Sequence, residues 1–210
     1  MIQNIFAIPI YKVRYPGPLD QIEANIRKIF ADNQADIAEN NINLMREGSV
    51  SSARVAEHLH KNKEFQEVTD FYHHHAEIFW NALNYDNRRP PRLRIMWANI
   101  YTPGSYIDSH DHCPMPLTGA FYVKKPVNSS NIIFEHPLEL ILKHQPIAGI
   151  RDRQQYFNFV EQEIEVEQGD LVLFPSYLRH KTRPSNDAED RIIIGGSLEQ
   201  DYRVRINGRD

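Results

Sequence analysis

The feature that most constrains the fold is a change in the pattern of apolar residues about 90 residues into the chain. Before this point, apolar residues recur every three or four positions in two stretches. One stretch includes Ile22, Ile26 and Phe30, and the other runs from Phe65 to Leu83. This spacing predicts two amphipathic helices joined by a polar loop.

After this point, the chain consists of short runs rich in Ile, Val, Phe and Tyr, separated by Gly, Pro and Asn. Such runs are typical of strands. Eight strands are predicted, over residues 92–101, 106–112, 118–124, 131–135, 156–166, 170–175, 178–183 and 191–198. Eight short strands after two helices predict an α+β fold, a double-stranded β-helix (jelly roll) with the N-terminal helices packed on one sheet.

The length of 210 residues suits one domain. Residues 1–210 are therefore predicted to form a single domain, in which 1–90 is a mainly helical support region and 91–210 is the jelly-roll core. The segment 137–155 fits neither the helical nor the strand pattern. It is expected to be an insertion that could act as a lid over a pocket.

Composition and charge exclude several classes of function. The formal net charge is −4 and the basic residues are scattered rather than clustered, which argues against a nucleic-acid partner. The single cysteine, Cys113, cannot form an internal disulfide, and no secretory leader follows Met1, so a cytoplasmic location is expected. No apolar run approaches the ~20 residues of a membrane-spanning helix.

Two histidines separated by one residue form the first candidate metal site. Side chains alternate between the two faces of a strand, so Asp108, His110 and His112 would share one face and Asp111 would lie on the other. Two imidazoles need a third ligand from another strand to hold a metal ion. The candidate is His180, although a hairpin with an ordinary histidine at its corner is the alternative for that position.

A second group of histidines, His73 to His75, is interpreted differently. These residues are adjacent in the second predicted helix, where neighbouring side chains point about 100° apart. The three imidazoles therefore cannot converge on one ion, and the group is predicted to be a partly exposed helix face.

Together these segments resemble the iron(II)- and 2-oxoglutarate-dependent oxygenases, in particular a family related to prolyl hydroxylases. The resemblance is carried by Trp97-Ala98-Asn99-Ile100-Tyr101, Ser109-His110-Asp111-His112-Cys113-Pro114, Leu117 to Val123, Ile133 to Pro137, Gly169 to His180 and Arg191 to Ser197. It implies Fe(II) and 2-oxoglutarate as cofactors. It also implies hydroxylation of a small-molecule or peptidyl substrate, with release of succinate and CO2.

The resemblance further implies that His110, His112 and His180 bind the metal. Most members of this superfamily have Asp or Glu where this chain has His112, so this position departs from the usual ligand set. A three-histidine site is one interpretation. Alternatively, Asp108 or Asp111 replaces an imidazole, or orients one from outside the ligand set.

The co-substrate also requires a buried cation for its 5-carboxylate. The resemblance places Arg191 in this role, with help from a hydroxyl group of Tyr122 or Tyr101. Alternation along the last strand puts Arg191, Gly195 and Ser197 on one face, which would leave space beside the guanidinium group. The alternative is that Arg191 pairs with an acidic residue of the preceding turn.

Two further residues are candidates for the same pocket. Asn99 is expected to line it, and Arg183 is a weaker substitute for the cation. The helical N-terminal third is expected to cover one side of the barrel or to mediate a homodimer.

Two other functions fit parts of the pattern. The first is a cupin-type metalloprotein, either a dioxygenase without 2-oxoglutarate or an isomerase. Gly104 to His112 match the first cupin motif except for its later Glu, and Gly169, Pro175 and His180 match most of the second. The other alternative is a jelly-roll binding protein without catalytic activity, which requires all three histidines to be coincidental.

Overall fold

The computed structural model describes residues 7–142, 144 and 160–201. It contains eleven strands and four α-helices within these ranges. In chain order they are β1 (Tyr11–Arg14), α1 (Asp20–Asp32), α2 (Gln34–Asn40), β2 (Met45–Arg46), β3 (Val50–Ser51), α3 (Gln66–Ala82), β4 (Pro91–Tyr101), β5 (Tyr106–Ile107), β6 (Leu117–Lys124), β7 (Ile132–Glu135), α4 (Glu139–Leu142), β8 (Glu161–Ile164), β9 (Asp170–Pro175), β10 (His180–Lys181) and β11 (Arg191–Gln200). Two short 3₁₀ turns, Leu59–Lys61 and Lys63–Phe65, lead into α3.

The strands form two layers. The larger layer is an antiparallel sheet in the order β1-β9-β6-β11-β4-β3. The smaller layer contains β10-β7-β8 and the pair β2-β5. Reciprocal backbone hydrogen bonds between His110 and His180 join these two groups of strands. Thr182 N also donates to Ile107 O, and Ile107 N donates to Thr182 Oγ1. This arrangement is the predicted α+β jelly roll.

The two faces of the large sheet pack against different partners. Its outer face contacts α1 and α3, as predicted, through an apolar cluster that includes Ile26, Tyr72, Phe79, Met96, Phe121, Leu171 and Ile194. Its inner face contacts the smaller layer through a second cluster that includes Tyr101, Tyr122, Phe134, Phe174 and Ile193. Burial on both faces explains the nearly continuous apolar runs of β6, β9 and β11. No helix within the described ranges is long and apolar enough to cross a membrane.

All eight predicted strands are present as β4 to β11, but three are shorter than predicted. The strand expected over 106–112 ends at Ile107. Its pairing with the β2 segment stops after Asp108 N donates to Leu44 O at 3.0 Å, and His110 N donates to a different segment, at His180 O. The strand expected over 178–183 contains only His180–Lys181. The strand expected over 156–166 is observed at Glu161–Ile164, and residues 156–159 lie outside the described part.

The sequence prediction missed the short elements of the first half. The two predicted helices correspond to α1 and α3, while α2, β1, β2 and β3 were not predicted. Strands of two residues leave no periodicity to detect, since their position depends on pairing with distant residues. The predicted insertion over 137–155 begins with α4, and residues 143 and 145–155 lie outside the described part.

The packing of α3 on the sheet generates a stability prediction. The Tyr72 ring lies against Gly119, and its hydroxyl donates to Ile194 O at 2.8 Å. A Cβ at residue 119 would lie 2.6 Å from Tyr72 Cε1 and 2.7 Å from Leu173 Cδ2. Gly119→Ala is therefore expected to lower the free energy of unfolding by about 1–3 kcal/mol, measured by urea denaturation.

Gly196→Ala is the matched comparison, because its Cβ would lie 3.0 Å or more from its neighbours, which include the same tyrosine. Its loss of stability is expected to be smaller. If Gly119→Ala were as stable as the wild type, the described contact between α3 and β6 would be wrong.

Candidate metal centre

The backbone aligns two of the three candidate histidines. His110 N donates to His180 O at 3.1 Å, and His180 N donates to His110 O at 2.9 Å. This reciprocal pair is an antiparallel bridge, so both side chains leave the same face of the smaller layer. A further bond from His112 N to Ser176 O, at 3.0 Å, ties the third histidine to the turn after β9.

The three imidazoles face one another. The ring centroids are 4.3 Å apart for His110 and His180, 5.0 Å for His110 and His112, and 5.2 Å for His112 and His180. One ring nitrogen from each side chain lies within 4.8 Å of the others. Within the described ranges, no other group of three His, Cys, Asp or Glu residues is close enough to hold a metal ion.

Hydrogen bonds determine which nitrogen two of these rings can offer. His110 Nδ1 lies 2.8 Å from the carbonyl oxygen of Asp108, and His180 Nδ1 lies 3.0 Å from that of Leu178. A carbonyl oxygen only accepts hydrogen bonds, so each Nδ1 carries the proton and donates. The lone pair of each ring is therefore on Nε2, which is the arrangement seen in histidines that bind metals.

Burial keeps the three rings neutral. It lowers the pKa of His110, and it lowers the pKa of His180 well below its ordinary value, with further lowering from the other two imidazoles. Burial and the nearby His110 lower the pKa of His112 to about 3. Neutral imidazole is the form that binds a divalent metal ion, so the site is prepared for one near neutral pH.

The side chains on the outer side of the bridge form an ionic network around Glu135. Its carboxylate accepts a hydrogen bond from Ser109 Oγ at 2.6 Å and one from Lys181 Nζ at 2.9 Å. Arg179 Nε lies 3.5 Å from the same carboxylate, and Glu135 N donates to Arg179 O at 2.8 Å. Ser109 precedes His110, and Arg179 and Lys181 flank His180. Glu135 therefore ties together the backbone segments that carry two of the histidines.

The two candidate carboxylates lie outside this group. The Asp108 carboxylate pairs with Arg46 Nη2, and it is the backbone carbonyl of Asp108 that contacts an imidazole. The Asp111 carboxylate accepts a hydrogen bond from Cys113 N at 3.1 Å and lies 3.7 Å from Arg179 Nη1. The predicted sharing of a face by Asp108, His110 and His112 fails because this segment leaves the strand after Ile107.

The predicted cation, Arg191, is the first residue of β11 and lies opposite Tyr101 of β4. Arg191 is completely buried, donates to Ser130 O and to Thr182 Oγ1, and lies 4.3 Å from the Tyr101 ring centroid. Burial lowers its pKa, but arginine remains protonated in proteins. Within the described ranges it has no carboxylate partner, so it does not pair with the preceding turn. Arg183, the weaker alternative, is exposed and bonds to Glu163.

A cavity of about 350 Å³ connects this region with the histidines. Its lining includes Asn99, Tyr101, Tyr122 and Thr182. Arg191 is not a lining residue, but its guanidinium group contacts Tyr101 and Thr182, which are. Tyr101 Oη accepts a hydrogen bond from Asn99 Nδ2 at 3.2 Å. Tyr122 Oη is buried without a hydrogen-bond partner in the described part of the chain. Burial raises the pKa of both tyrosines, so both hydroxyl groups can donate.

The expected space beside Arg191 is only partly present. A Cβ at Gly195 would lie 2.5 Å from the Trp97 ring, so this glycine makes room for the indole, although Gly195 also lines the cavity. Ser197 is buried and does not line the cavity itself, although its Oγ lies 3.5 Å from Oγ1 of Thr118, which does. Trp97 instead lies beside the metal centre, with its ring centroid 5.4 Å from that of His112.

The sequence prediction missed Trp97, Thr182 and Glu135. Trp97 alternates with Asn99 and Tyr101 along β4, and Thr182 lies two residues after His180, so alternation along a strand could have identified both. Glu135 could not be found this way, because its role depends on side chains from two distant segments.

A family model matches the part of the chain that contains this site. Residues 95–195 match a family described as "Putative 2OG-Fe(II) oxygenase". The range extends from β4 to β11 and contains the three histidines and Arg191. A comparison with curated proteins gave no match.

Several solved structures share the fold. A prolyl-4-hydroxylase from Pseudomonas putida has 13% identity, covers 91% of this chain and 92% of its own, and has a TM-score of 0.58. HygX from Streptomyces hygroscopicus, with nickel and 2-oxoglutarate bound, has 10% identity, coverage of 93% and 84%, and a TM-score of 0.54. SnoN, a non-heme alpha-ketoglutarate-dependent epimerase from nogalamycin biosynthesis, has 12% identity, coverage of 97% and 85%, and a TM-score of 0.62. These similarities confirm the predicted jelly-roll fold.

The arrangement of the imidazoles predicts one divalent metal ion per chain. His180→Ala is expected to weaken iron(II) binding by more than the roughly 10- to 100-fold typical of residues that only orient a ligand. The measurement is anaerobic titration calorimetry together with metal analysis. The control is His136→Ala, because His136 Nδ1 accepts a hydrogen bond from Leu138 N outside the site. Equal iron content in the two variants would contradict the assignment.

The network around Glu135 predicts a second effect on metal affinity. Glu135→Ala removes the group that connects Ser109, Arg179 and Lys181, so His110 and His180 lose part of their alignment. Iron(II) affinity is expected to fall by about 10- to 100-fold in protein that remains folded. Glu163→Ala is the control, because this carboxylate lies on the neighbouring strand and bonds to Asn131 and Arg183. The same affinity in both variants would exclude the positioning role.

Proposed function

We propose that this chain is a member of the 2OG-Fe(II) oxygenase family, whose model matches residues 95–195, and that His110, His112 and His180 bind iron(II). The protein is accordingly an oxygenase with iron(II) and 2-oxoglutarate as cofactors. One observation carries the ligand assignment: three neutral imidazoles, one buried and two partly buried, place their ring nitrogens within 4.8 Å of one another. In two of them, a hydrogen bond at Nδ1 leaves Nε2 free.

The ligand set has a consequence for charge. Three imidazoles add no negative charge, so the protein leaves the double positive charge of iron(II) uncompensated. An anionic co-substrate is then attracted more strongly than it would be beside a protein carboxylate. This supports 2-oxoglutarate, a dianion near neutral pH, as the partner of a three-histidine centre. Asp108 lies outside this ligand set and contacts His110 through its backbone carbonyl oxygen. Asp111 also lies outside the set, and its carboxylate is 3.7 Å from Arg179 Nη1.

We propose that the 5-carboxylate of 2-oxoglutarate is held at the Arg191 end of the cavity. The guanidinium supplies a buried positive charge that no acidic side chain of the described ranges neutralises. Tyr122 Oη, which lacks a hydrogen-bond partner there, and Thr182 Oγ1 provide polar contacts on the lining. An unpaired buried cation is costly, and a bound carboxylate offsets this cost.

The chemistry follows from the two cofactors and from the shape of the cavity. When bound together, iron(II) and 2-oxoglutarate activate O2, so that a C–H bond is hydroxylated and succinate and CO2 are released. The chain positions the reacting groups and excludes water with the apolar side chains of Ile132, Phe174 and Ile193. A cupin-type function without 2-oxoglutarate would leave the buried Arg191 without a ligand.

The substrate is proposed to be a small molecule or a peptidyl side chain. The cavity volume of about 350 Å³ must accommodate both the co-substrate and the part of the substrate that reacts. A compact reacting group on the substrate satisfies this limit on volume.

The role of Arg191 can be tested with two oxoacids. 2-Oxoglutarate and 2-oxopentanoate share the groups that chelate a metal, but only the first has a 5-carboxylate. In nickel-loaded wild type, 2-oxoglutarate is expected to bind about 30-fold or more tightly than 2-oxopentanoate, and Arg191→Met should abolish this difference. Titration calorimetry measures both affinities, and Arg183→Met, at an exposed arginine, is the control. A preference that persists in Arg191→Met would contradict the proposal.

A further inference from the structure

The metal centre divides the cavity into two ends. In the pairing of β4 with β11, Tyr101 lies opposite Arg191, while Trp97 lies opposite Gly195, four residues further along. The Trp97 ring is the one beside His112, at 5.4 Å between centroids. The cavity therefore extends from the Arg191 end, past the imidazoles, to a second end beyond Trp97.

The second end lies at Ile95 and Trp97 of β4, and Ala53 and Arg54, which follow Ser52, line the cavity as well. Ile42, Asn43 and Leu44 are further lining residues. Ser52 fixes the position of the segment that carries Arg54, because Ser52 N donates to Ala98 O at 2.9 Å and Ala98 N donates to Ser52 Oγ at 3.0 Å. Arg54 thus lies on the side of the metal centre away from Arg191.

Arg54 differs from the other arginines in the described ranges. Each of the others forms a hydrogen bond or an ion pair, mostly with an acidic side chain. Arg54 forms neither within those ranges. Asp111, which also lines the cavity, is already engaged by Cys113 N and lies 3.7 Å from Arg179 Nη1. Arg54 is exposed, and its charge is therefore not compensated by an acidic side chain within the described ranges.

We propose that Arg54 binds a carboxylate of the substrate, whose apolar part packs on Trp97 and Ile95. A guanidinium group can bind a carboxylate through two parallel hydrogen bonds, which fixes orientation as well as position. An acid held in this way would direct its apolar carbon chain toward the imidazoles. This inference rests on the proposed function, because the metal centre defines which end of the cavity receives the substrate.

Matched acids and amides provide the test. The probes are 3-phenylpropanoate with 3-phenylpropanamide, and hexanoate with hexanamide, added to protein loaded with nickel(II) and 2-oxoglutarate. Binding is followed by tryptophan fluorescence, since Trp97 lines the cavity while Trp80, the other tryptophan, belongs to α3 and is buried in the other core cluster. In the wild type, the acid of a pair is expected to bind about tenfold more tightly than its amide.

Arg54→Gln should abolish the preference, because it weakens binding of the acid and leaves binding of the amide unchanged. The matched control is Arg94→Gln, which changes an exposed arginine of β4 that pairs with Glu199 outside the cavity, and it should keep the preference. No preference in the wild type, or an unchanged preference in Arg54→Gln, would overturn the inference.

A separate titration distinguishes this failure from failure of the proposed function. If 2-oxoglutarate does not bind to the nickel-loaded wild type, the co-substrate assignment is wrong. The acid and amide pairs are then compared in metal-free Arg191→Met protein, with and without Arg54→Gln. Loss of the acid preference with Arg54→Gln supports the role of Arg54 in that case also, and an unchanged preference overturns it.

Discussion

The antiparallel bridge between His110 and His180 is the constraint on which the rest of the site depends. Its two backbone hydrogen bonds bring together segments that are seventy residues apart and direct both imidazoles into the barrel. Their neighbours Ser109 and Arg179 consequently project outward, where Glu135 joins them. One local pairing therefore sets both the inner arrangement of ligands and the outer ionic network that supports it.

The distribution of charge inside the barrel follows a second constraint. The interior contains three neutral imidazoles and one buried guanidinium, that of Arg191, without a carboxylate partner in the described ranges. Such a cation lowers the stability of the protein alone, because burial of a charge is costly unless it is paired. Binding of a dianion offsets this cost, so the same feature that is unfavourable in the free protein favours the co-substrate. Stability is exchanged for a prepared binding site.

The sequence predicted the parts of the structure that depend on local pattern. Short runs rich in Ile, Val, Phe and Tyr, separated by Gly, Pro and Asn, predicted β4 to β11 as strands. The spacing of His110 and His112, with His180 in a later strand, predicted the three side chains that meet. Local pattern could not identify β2 and β3, whose two residues pair with distant strands. It also suggested that Gly195 leaves space for a cofactor.

Contacts between distant segments explain the remaining differences. Trp97 occupies the space at Gly195, which only the pairing of β4 with β11 reveals. Arg54 lies in a polar loop without any distinctive local pattern, and its position at the cavity depends on the bonds between Ser52 and Ala98. Such contacts arise from the fold as a whole and have no counterpart in residue spacing.

The central claim is that three histidines without a carboxylate hold iron(II) for 2-oxoglutarate. Anaerobic titration of the iron(II)-loaded protein with 2-oxoglutarate, followed by visible absorption, tests it most directly. A weak charge-transfer band that saturates at one equivalent of 2-oxoglutarate per iron is the predicted result. Stoichiometric iron with no band at saturating 2-oxoglutarate would contradict the account.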